Sequence, residues 1–436
     1  MAQGSDKSGI TIAIVGGGLG GVCAAVGLGR AGYSVHLFEQ AEKFSEIGAG
    51  ISLGPNAITA LEMLGLGDTY EKIADITDDV DPLWFQFVEH RDGSMIQEVF
   101  SKGRYSSVHR AKLLDGFMKH LPSNVKTHFG SHITHVENVL GADGKPARVR
   151  LSIEPHGEHH PDWPQPDHVF EASVVIGCDG VKSMVRKSIE EYTGGRVRYT
   201  GSYAYRGLLD TKEAVAQIGE GATVPTMWLA LDKHILSFPI EKGNVINVVA
   251  FVSDRSSPPD ERVWKESRWV KPVPVDQMLG DFEGFEDKVI KLMKLIKKPE
   301  QWALHELVPL KQWTVDRITL LGDAAHAALP NNGAGAGQAI EDVYVLASLL
   351  SDPRCTETTL PEFLLAYENV RRGRASAQQV HSREGGEVYE YRGPTGSDRK
   401  ALAENLKGRF DWIWVHDLRA DVKDAFASLA AKGIIS

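Results

Sequence analysis

Cysteine is scarce in this 436-residue chain. Cys23, Cys178 and Cys355 are too few and too scattered for a disulfide framework. They read as small buried residues of a protein kept in a reducing compartment, so a cytoplasmic location is expected. Long apolar runs are missing too. Nothing approaches the roughly 18 consecutive apolar residues of a membrane span, and none is expected. There is no excess of basic charge: 48 Lys and Arg face 58 Asp and Glu, a net charge of −10 at pH 7. That balance argues against nucleic acid as the main partner. No repeat period and no long low-complexity linker is visible. The opening MAQGSDKSG lacks a basic stretch followed by an apolar one, so a secretory signal is not expected. The remaining class is a soluble globular chain, long enough for two or three structural units.

Glycine at particular places is what the sequence does have. Residues 10–15 are apolar and β-branched, as a buried parallel strand requires. Gly16, Gly18 and Gly21 follow as G-x-G-x-x-G, then a helix of small residues, then a second strand ending at Glu39. The first glycine permits the tight turn, the second lets backbone approach a pyrophosphate, and the third lets helix pack on strand. The helix N-terminus offers free N–H groups to the phosphates. Glu39, eighteen residues after Gly21, is placed to accept from a ribose hydroxyl. The pattern specifies a dinucleotide without saying which one.

Two later stretches repeat the strand–turn–helix form. In VVIGCDGVKSMVR, Asp179 opens an Asp-Gly turn before Ser183 and Arg186, and a plain strand, turn and helix start explains it equally well. In ITLLGDAAHAALPNNGAGAG, an apolar strand ends on Asp323, and Pro330, Gly333, Gly335 and Gly337 lead into a helix. A flexible turn does not account for an acid at a strand end. Between these motifs, 82–100 reads as a hairpin turning at Asp92-Gly93, 125–176 as short strands, and 199–252 as at least four strand-like runs. The tail from 361 is helical.

Taken in this order, the G-x-G-x-x-G with Glu39, CDGVKSMVR and GDAAHAALPNNGAGAG resemble the three signatures of the single-component flavin-dependent aromatic hydroxylases. EIGAGISLGPNA, VHRAKLL, AYRGLL and WIWVHD are most similar to the salicylate hydroxylase branch, including its fungal members. The resemblance implies an α/β fold like that of p-hydroxybenzoate hydroxylase. In it, a Rossmann-like FAD-binding domain of the glutathione-reductase type carries an inserted mixed or antiparallel β-sheet substrate domain and a C-terminal helical tail. Residues 1–75, 105–190 and 305–390 would form the discontinuous FAD domain, 76–104 and 191–304 the substrate domain, and 391–436 the tail. The cofactor is FAD, with NADH or NADPH as reducing co-substrate. A small phenolic or hydroxybenzoate-type aromatic and O2 are the partners, with a monomer or homodimer as the assembly.

By the same resemblance, Gly16, Gly18, Gly21, Glu39, Gly50, Arg110, Asp179, Asp323, Pro330, Gly333, Gly335 and Ala336 hold FAD. Asp323 would bond a ribityl hydroxyl, and the glycines after Pro330 would let a helix N-terminus approach the N1–C2=O edge, where the reduced flavin gathers charge. The implied chemistry is hydroxylation through a flavin C4a-hydroperoxide, with decarboxylation if the substrate is salicylate. The absence of a second G-x-G-x-x-G unit fits a nicotinamide that visits a shared site.

For the substrate, alternation along AYRGLL puts Arg206 on one strand face and Tyr203, Tyr205 and Gly207 on the other. A guanidinium facing a pocket would bind a carboxylate or phenolate. Many relatives carry Tyr-Pro where this chain has Phe238-Pro239, and Tyr205 or His234 could supply the missing polar group. His156, His159, His160 and His168 sit among prolines and charges and read as a solvated hairpin tip, with no metal expected. Trp412 and Trp414 read as an aromatic anchor over the FAD domain. The alternatives are a larger phenolic substrate, an isoprenoid epoxidase, or a flavin-binding protein without oxygenase turnover.

Overall fold

A computed structural model describes residues 7, 9–43, 50–76, 79–155 and 168–436. The strands Thr11–Val15, Ser34–Phe38, Val125–His128, Val174–Gly177 and Ile318–Leu320 lie parallel in one sheet, with Thr314–Val315 antiparallel at the edge. The chain order is non-sequential: the strand before Asp179 lies beside the first strand, and the strand before Asp323 lies next to it in turn. Their C-terminal ends form one crest, the usual place for ligands on a doubly wound sheet. The Leu19–Arg30 and Gly335–Leu350 helices pack together over this sheet. A three-stranded antiparallel sheet of Ser131–Leu140, Pro146–Pro155 and Val169–Ala172 covers it further, through Phe170 against His36 and Phe38. Its first two strands are ten residues long, longer than the short strands expected from the sequence.

A second sheet has eight strands, and its members come from two distant parts of the chain. Leu83–Glu89 and Met95–Phe100 join Val197–Asp210, Thr226–Ala230, Lys233–Ile240, Val245–Ser253, Val270–Pro272 and Glu300–Leu307. Most pairs are antiparallel, but Thr226–Ala230 runs parallel to Leu83–Glu89, which makes the sheet mixed. Its two faces differ. Tyr205 pairs with Ala250, which pairs with Ile235, and this row is buried under the Val275–Asp281 and Asp287–Met293 helices. Arg206 pairs with Val249, which pairs with Leu236, on the opposite face. There Phe85, Phe87, Phe238, Tyr389, Phe410 and Trp414 form an aromatic cluster.

A small seam sheet of Gly50–Leu53, Asp75–Ile76 and Ser106–His109 joins the two. Ser107 donates to the Pro239 carbonyl at 2.8 Å across this seam. The 30-residue Leu360–Tyr389 helix then runs beneath both halves. Among the described residues, no helix is long and apolar enough to cross a membrane.

Candidate active site

The glycine turn has a steric explanation at its first and third glycines. Gly16 has φ +105°, and a Cβ there would lie 2.4 Å from the Cys178 carbonyl oxygen. A Cβ on Gly21 would lie 1.9 Å from the Gly16 oxygen, so the helix can start only this close to the strand without a side chain. Gly18 is different: nothing lies within 4 Å of its Cβ position, and it precedes a helix start with no side-chain cap. The result is an open helix N-terminus with unsatisfied N–H groups. Glu39 reaches back to the same turn, accepting from the Gly17 N–H at 2.7 Å and the Ala41 N–H at 2.9 Å.

Asp179 sits beside this turn, and its carboxylate accepts from the N–H groups of Met184 and Val185 and from the Ser183 hydroxyl. Burial pushes its carboxyl above the usual range, against those bonds. Arg186 ties the motif to the next one, donating to the Ala324 carbonyl at 2.9 Å. Gly322 turns the chain with φ +62°, and Asp323 emerges exposed, with no protein hydrogen-bond partner among the described residues. Pro330 opens a short 3-10 turn, Gly333 closes it with φ +60°, and the Gly335–Leu350 helix begins without a side-chain cap. Nothing lies within 4 Å of a Cβ on Gly333 or Gly335, and Ala336 is half-buried. Gly54, Trp84, Tyr105, Gly333, Ala334 and Trp414 line a narrow cleft at this helix start.

The other expected cofactor residues lie at the seam. Arg110 begins the Arg110–Met118 helix, directly after the strand whose His109 pairs with Gly50. A Cβ on Gly50 would lie 2.8 Å from Ile240, so packing against the second sheet requires this glycine. Trp414 presses on Gly54, where a Cβ would lie 2.8 Å from the indole.

Arg206 occupies the face that looks away from the covering helices. Its guanidinium carbon lies 4.9 Å from the Trp302 ring centroid, and its Nε is buried without a hydrogen-bond partner. No carboxylate pairs with it among the described residues. Burial, and then the nearby charge of Arg110, lower its pKa from the usual value. His234 shares this face but is enclosed: it stacks on Phe251 at 4.3 Å, meets Tyr389 edge-on, and is 1% exposed. Its Nδ1 bonds Glu390 at 3.2 Å, which Arg255 holds from the far side at 2.7 Å, and its Nε2 has no partner.

Tyr205 is not brought to this site. Its hydroxyl donates to Asp281 at 2.6 Å, and its ring packs with Phe282 under the helices, on the face opposite Arg206. The expectation that it could replace a substrate-facing tyrosine is therefore corrected: the strand's two-residue period turns it away. Phe238 meets Phe85 edge-on, in a box without hydroxyls at that point. His156, His159 and His160 lie outside the described residues, and no group of metal-binding side chains occurs among those described.

A buried charge network beneath the Asp323 turn was not foreseen. Asp342 accepts from the Gly322 N–H at 3.0 Å and bonds His326 at 2.6 Å, while Arg371 bridges Asp342 and Glu341 at 2.9 and 2.7 Å. All three of Glu341, Asp342 and Arg371 are fully buried. Against the upward push of burial, Arg371 and Arg374 hold the Glu341 carboxyl down at about 2. The signal in the sequence was an acidic pair inside the otherwise apolar helix AIEDVYVLASLL.

Comparison with known proteins agrees with this geometry. A family model described as FAD binding domain matches residues 9–382. Salicylate hydroxylase of Pseudomonas putida is 41% identical over 442 aligned positions, covering 98% of this chain and 96% of that protein. 6-Methylsalicylate 1-monooxygenase of Aspergillus terreus is 32% identical, covering 97% and 94%. A solved salicylate hydroxylase substrate complex superposes with a TM-score of 0.83 at 36% identity, covering 96% of this chain and 98% of that one. The residues present fit FAD: a turn in which Gly16 and Gly21 leave no room for a Cβ, two helix N-termini without side-chain caps, and an exposed Asp323 carboxylate free to accept a ribityl hydroxyl. The chain belongs to the FAD-binding-domain family and is an FAD-dependent aromatic monooxygenase of the salicylate hydroxylase kind.

Proposed function

We propose that the protein uses NAD(P)H and O2 to hydroxylate a small aromatic acid of the salicylate type. The observation that carries this reading is Arg206: a half-buried guanidinium whose Nε is enclosed without a hydrogen-bond partner and which has no carboxylate partner among the described residues, on the face of an otherwise aromatic wall. A partly desolvated charge left without a partner is unfavourable, and an aromatic carboxylate supplies the missing partner in bidentate form. FAD, when bound, supplies the hydride-accepting and oxygen-transferring chemistry.

The chain's own residues do the rest. The Leu19–Arg30 helix start would hold the pyrophosphate, Glu39 the ribose and Asp323 the ribityl chain, with Gly335 and Ala336 presenting amides to the flavin's polar edge. Gly50, Arg110 and Asp179 support these segments from the seam and the second turn. Arg206 orients the acid and favours its ionised phenol. Glu390 fixes the enclosed His234 ring through Nδ1, which leaves its unpartnered Nε2 as the candidate polar group of this face in place of the missing tyrosine hydroxyl. The closely packed rings of Phe85, Phe87, Phe238 and Phe251 exclude water and suit a single-ring substrate better than a large phenolic metabolite.

In this reading residues 76–104 and 191–304 form the substrate side. The enzyme acts in the cytoplasm as a monomer or homodimer. The test is NAD(P)H oxidation by the FAD-loaded protein and by its Arg206→Ala and Arg206→Lys variants. Alanine should raise the KM for hydroxybenzoates at least tenfold while FAD stays bound, with lysine intermediate. Unchanged kinetics in Arg206→Ala would remove the anchor, and the small-acid assignment with it.

A further inference from the structure

The aromatic stretch Phe410–Trp414 is far from the flavin motifs in sequence, yet its last indole lines the cleft at the Gly335 helix start, beside Asn332, Gly333 and Ala334. Trp414 is 7% exposed. Its ring meets Trp84 nearly edge-on, with centroids 5.5 Å apart and planes at 77°, and lies 5.6 Å from the Phe410 ring. Gly54 has no side chain to hold the indole off.

A turn this short does not hold itself. Asp411–Trp414 is a single helical turn of four residues, well below the length at which a helix is stable alone, and its last carbonyls need partners from elsewhere. Arg374, on the Leu360–Tyr389 helix, supplies them. Its guanidinium donates to the Trp412 carbonyl at 3.0 Å and to the Ile413 carbonyl at 2.8 Å. The same guanidinium forks onto Glu341, at 2.8 Å to each carboxylate oxygen. Glu341 belongs to the helix whose N-terminus faces the cleft, and the Arg374 side chain is only 8% exposed. A second tie comes from the Pro330 turn. Asn332 bonds His381 at 2.9 Å, and the His381 ring stands edge-on to both Phe410 and Trp412. The C-terminal turn therefore hangs from the two elements that meet the flavin's polar edge.

An anchor needs only burial, whereas these contacts fix one indole against the helix start. We propose that Trp414 is a wall of the flavin site and that Arg374 is the residue that positions it. The wall keeps water from the site while oxygen is transferred. With it in place, the two electrons of NAD(P)H reduce one O2 so that one oxygen atom enters the aromatic ring and the other leaves as water. Where water enters, the same two electrons and two protons take O2 to H2O2, and the aromatic is released unchanged. Arg374 thus acts on the partition between hydroxylated product and peroxide. The partition rests on the aromatic-acid reading above; the wall rests on the flavin site alone.

Two readouts on the FAD-loaded protein test it. Iodide quenching of the bound flavin's fluorescence, in the oxidised protein, reports the wall without turnover. Peroxide formed per NAD(P)H oxidised, at saturating salicylate, reports the partition. Trp414→Ala should raise both by roughly threefold or more. Arg374→Lys keeps a cation beside Glu341 but loses the fork onto the two carbonyls, and should move both readouts in the same direction. Trp414→Phe keeps a ring at the cleft and should stay within about twofold of wild type on both. If Trp414→Ala and Arg374→Lys lower only the Tm and leave both readouts unchanged, the turn is a plain anchor and the proposal is overturned. Should Trp414→Ala not fold, Arg374→Lys decides by the same two readouts. A wild type that yields only peroxide with every aromatic acid offered would overturn the hydroxylation reading instead. Iodide quenching then decides the wall by itself, and equal quenching in wild type and variants overturns it.

Discussion

Asp323 and Tyr205 show how differently two side chains on neighbouring motifs are used. Asp323 makes no protein bond, so Asp323→Ala should leave the Tm nearly unchanged, since surface changes of this kind stay within about 0.5 kcal/mol. FAD retention through gel filtration should nevertheless fall sharply, and a variant that elutes fully yellow would contradict the ribityl role. Tyr205→Phe should do the reverse. It leaves Asp281 without one buried donor, at a cost of about 1–3 kcal/mol by thermal or urea unfolding, and should not alter substrate KM. The glycine turns and their acids were legible in the sequence because their requirements are local: a positive φ, a close approach, an uncapped helix start. Alternation along AYRGLL also separated Tyr205 from Arg206. Which of the two faces the helices would cover was not legible, because those helices lie some seventy residues downstream.

The Gly335–Leu350 helix carries an element-scale device. Its N-terminus faces the cleft, while Glu341 and Asp342 anchor its buried side through Arg371 and, by the Gly322 N–H, fix the turn that presents Asp323. The acidic pair was visible in the sequence, but its partners were not. Arg371 and Arg374 sit on another helix, and no local pattern links the two. Arg371→Met would leave Glu341 and Asp342 buried without the guanidinium that bridges them, at a cost of about 3–5 kcal/mol, read as a large fall in Tm. Acid should have a related effect. The Glu341 pKa is depressed, to about 2, so its contribution is present above its ordinary carboxylate pKa and is lost as pH falls from there toward about 2. Denaturant titrations across that window should show the loss, and Glu341→Gln should flatten it.

At the scale of the whole molecule, two sheets from interleaved parts of one chain meet at a three-stranded seam, with the flavin motifs on one side and the aromatic box on the other. The interleaving was readable, because the three nucleotide motifs are separated by runs of strand-like sequence. The parallel pairing of Thr226–Ala230 with Leu83–Glu89 was not, since register between distant strands leaves no local mark. Global stability should also fall on mild acidification. Burial lowers the His36 and His381 pKa values to about 4, so both rings stay neutral in the fold while the unfolded chain takes up protons from near pH 6.5. Stability conferred above that pH is therefore lost progressively between about 6.5 and 4, and Tm measured across the range should decline.

The central claim is that a flavin groove and a cationic, aromatic pocket together hydroxylate a small aromatic acid. O2 uptake and NAD(P)H oxidation by the FAD-loaded protein test it most directly, with hydroxybenzoates set against their methyl esters. Strong stimulation by a salicylate-type acid, little by its ester, and hydroxylated product matching O2 consumed is the predicted result. Equal stimulation by the ester, or none by any acid in the panel, would contradict the account.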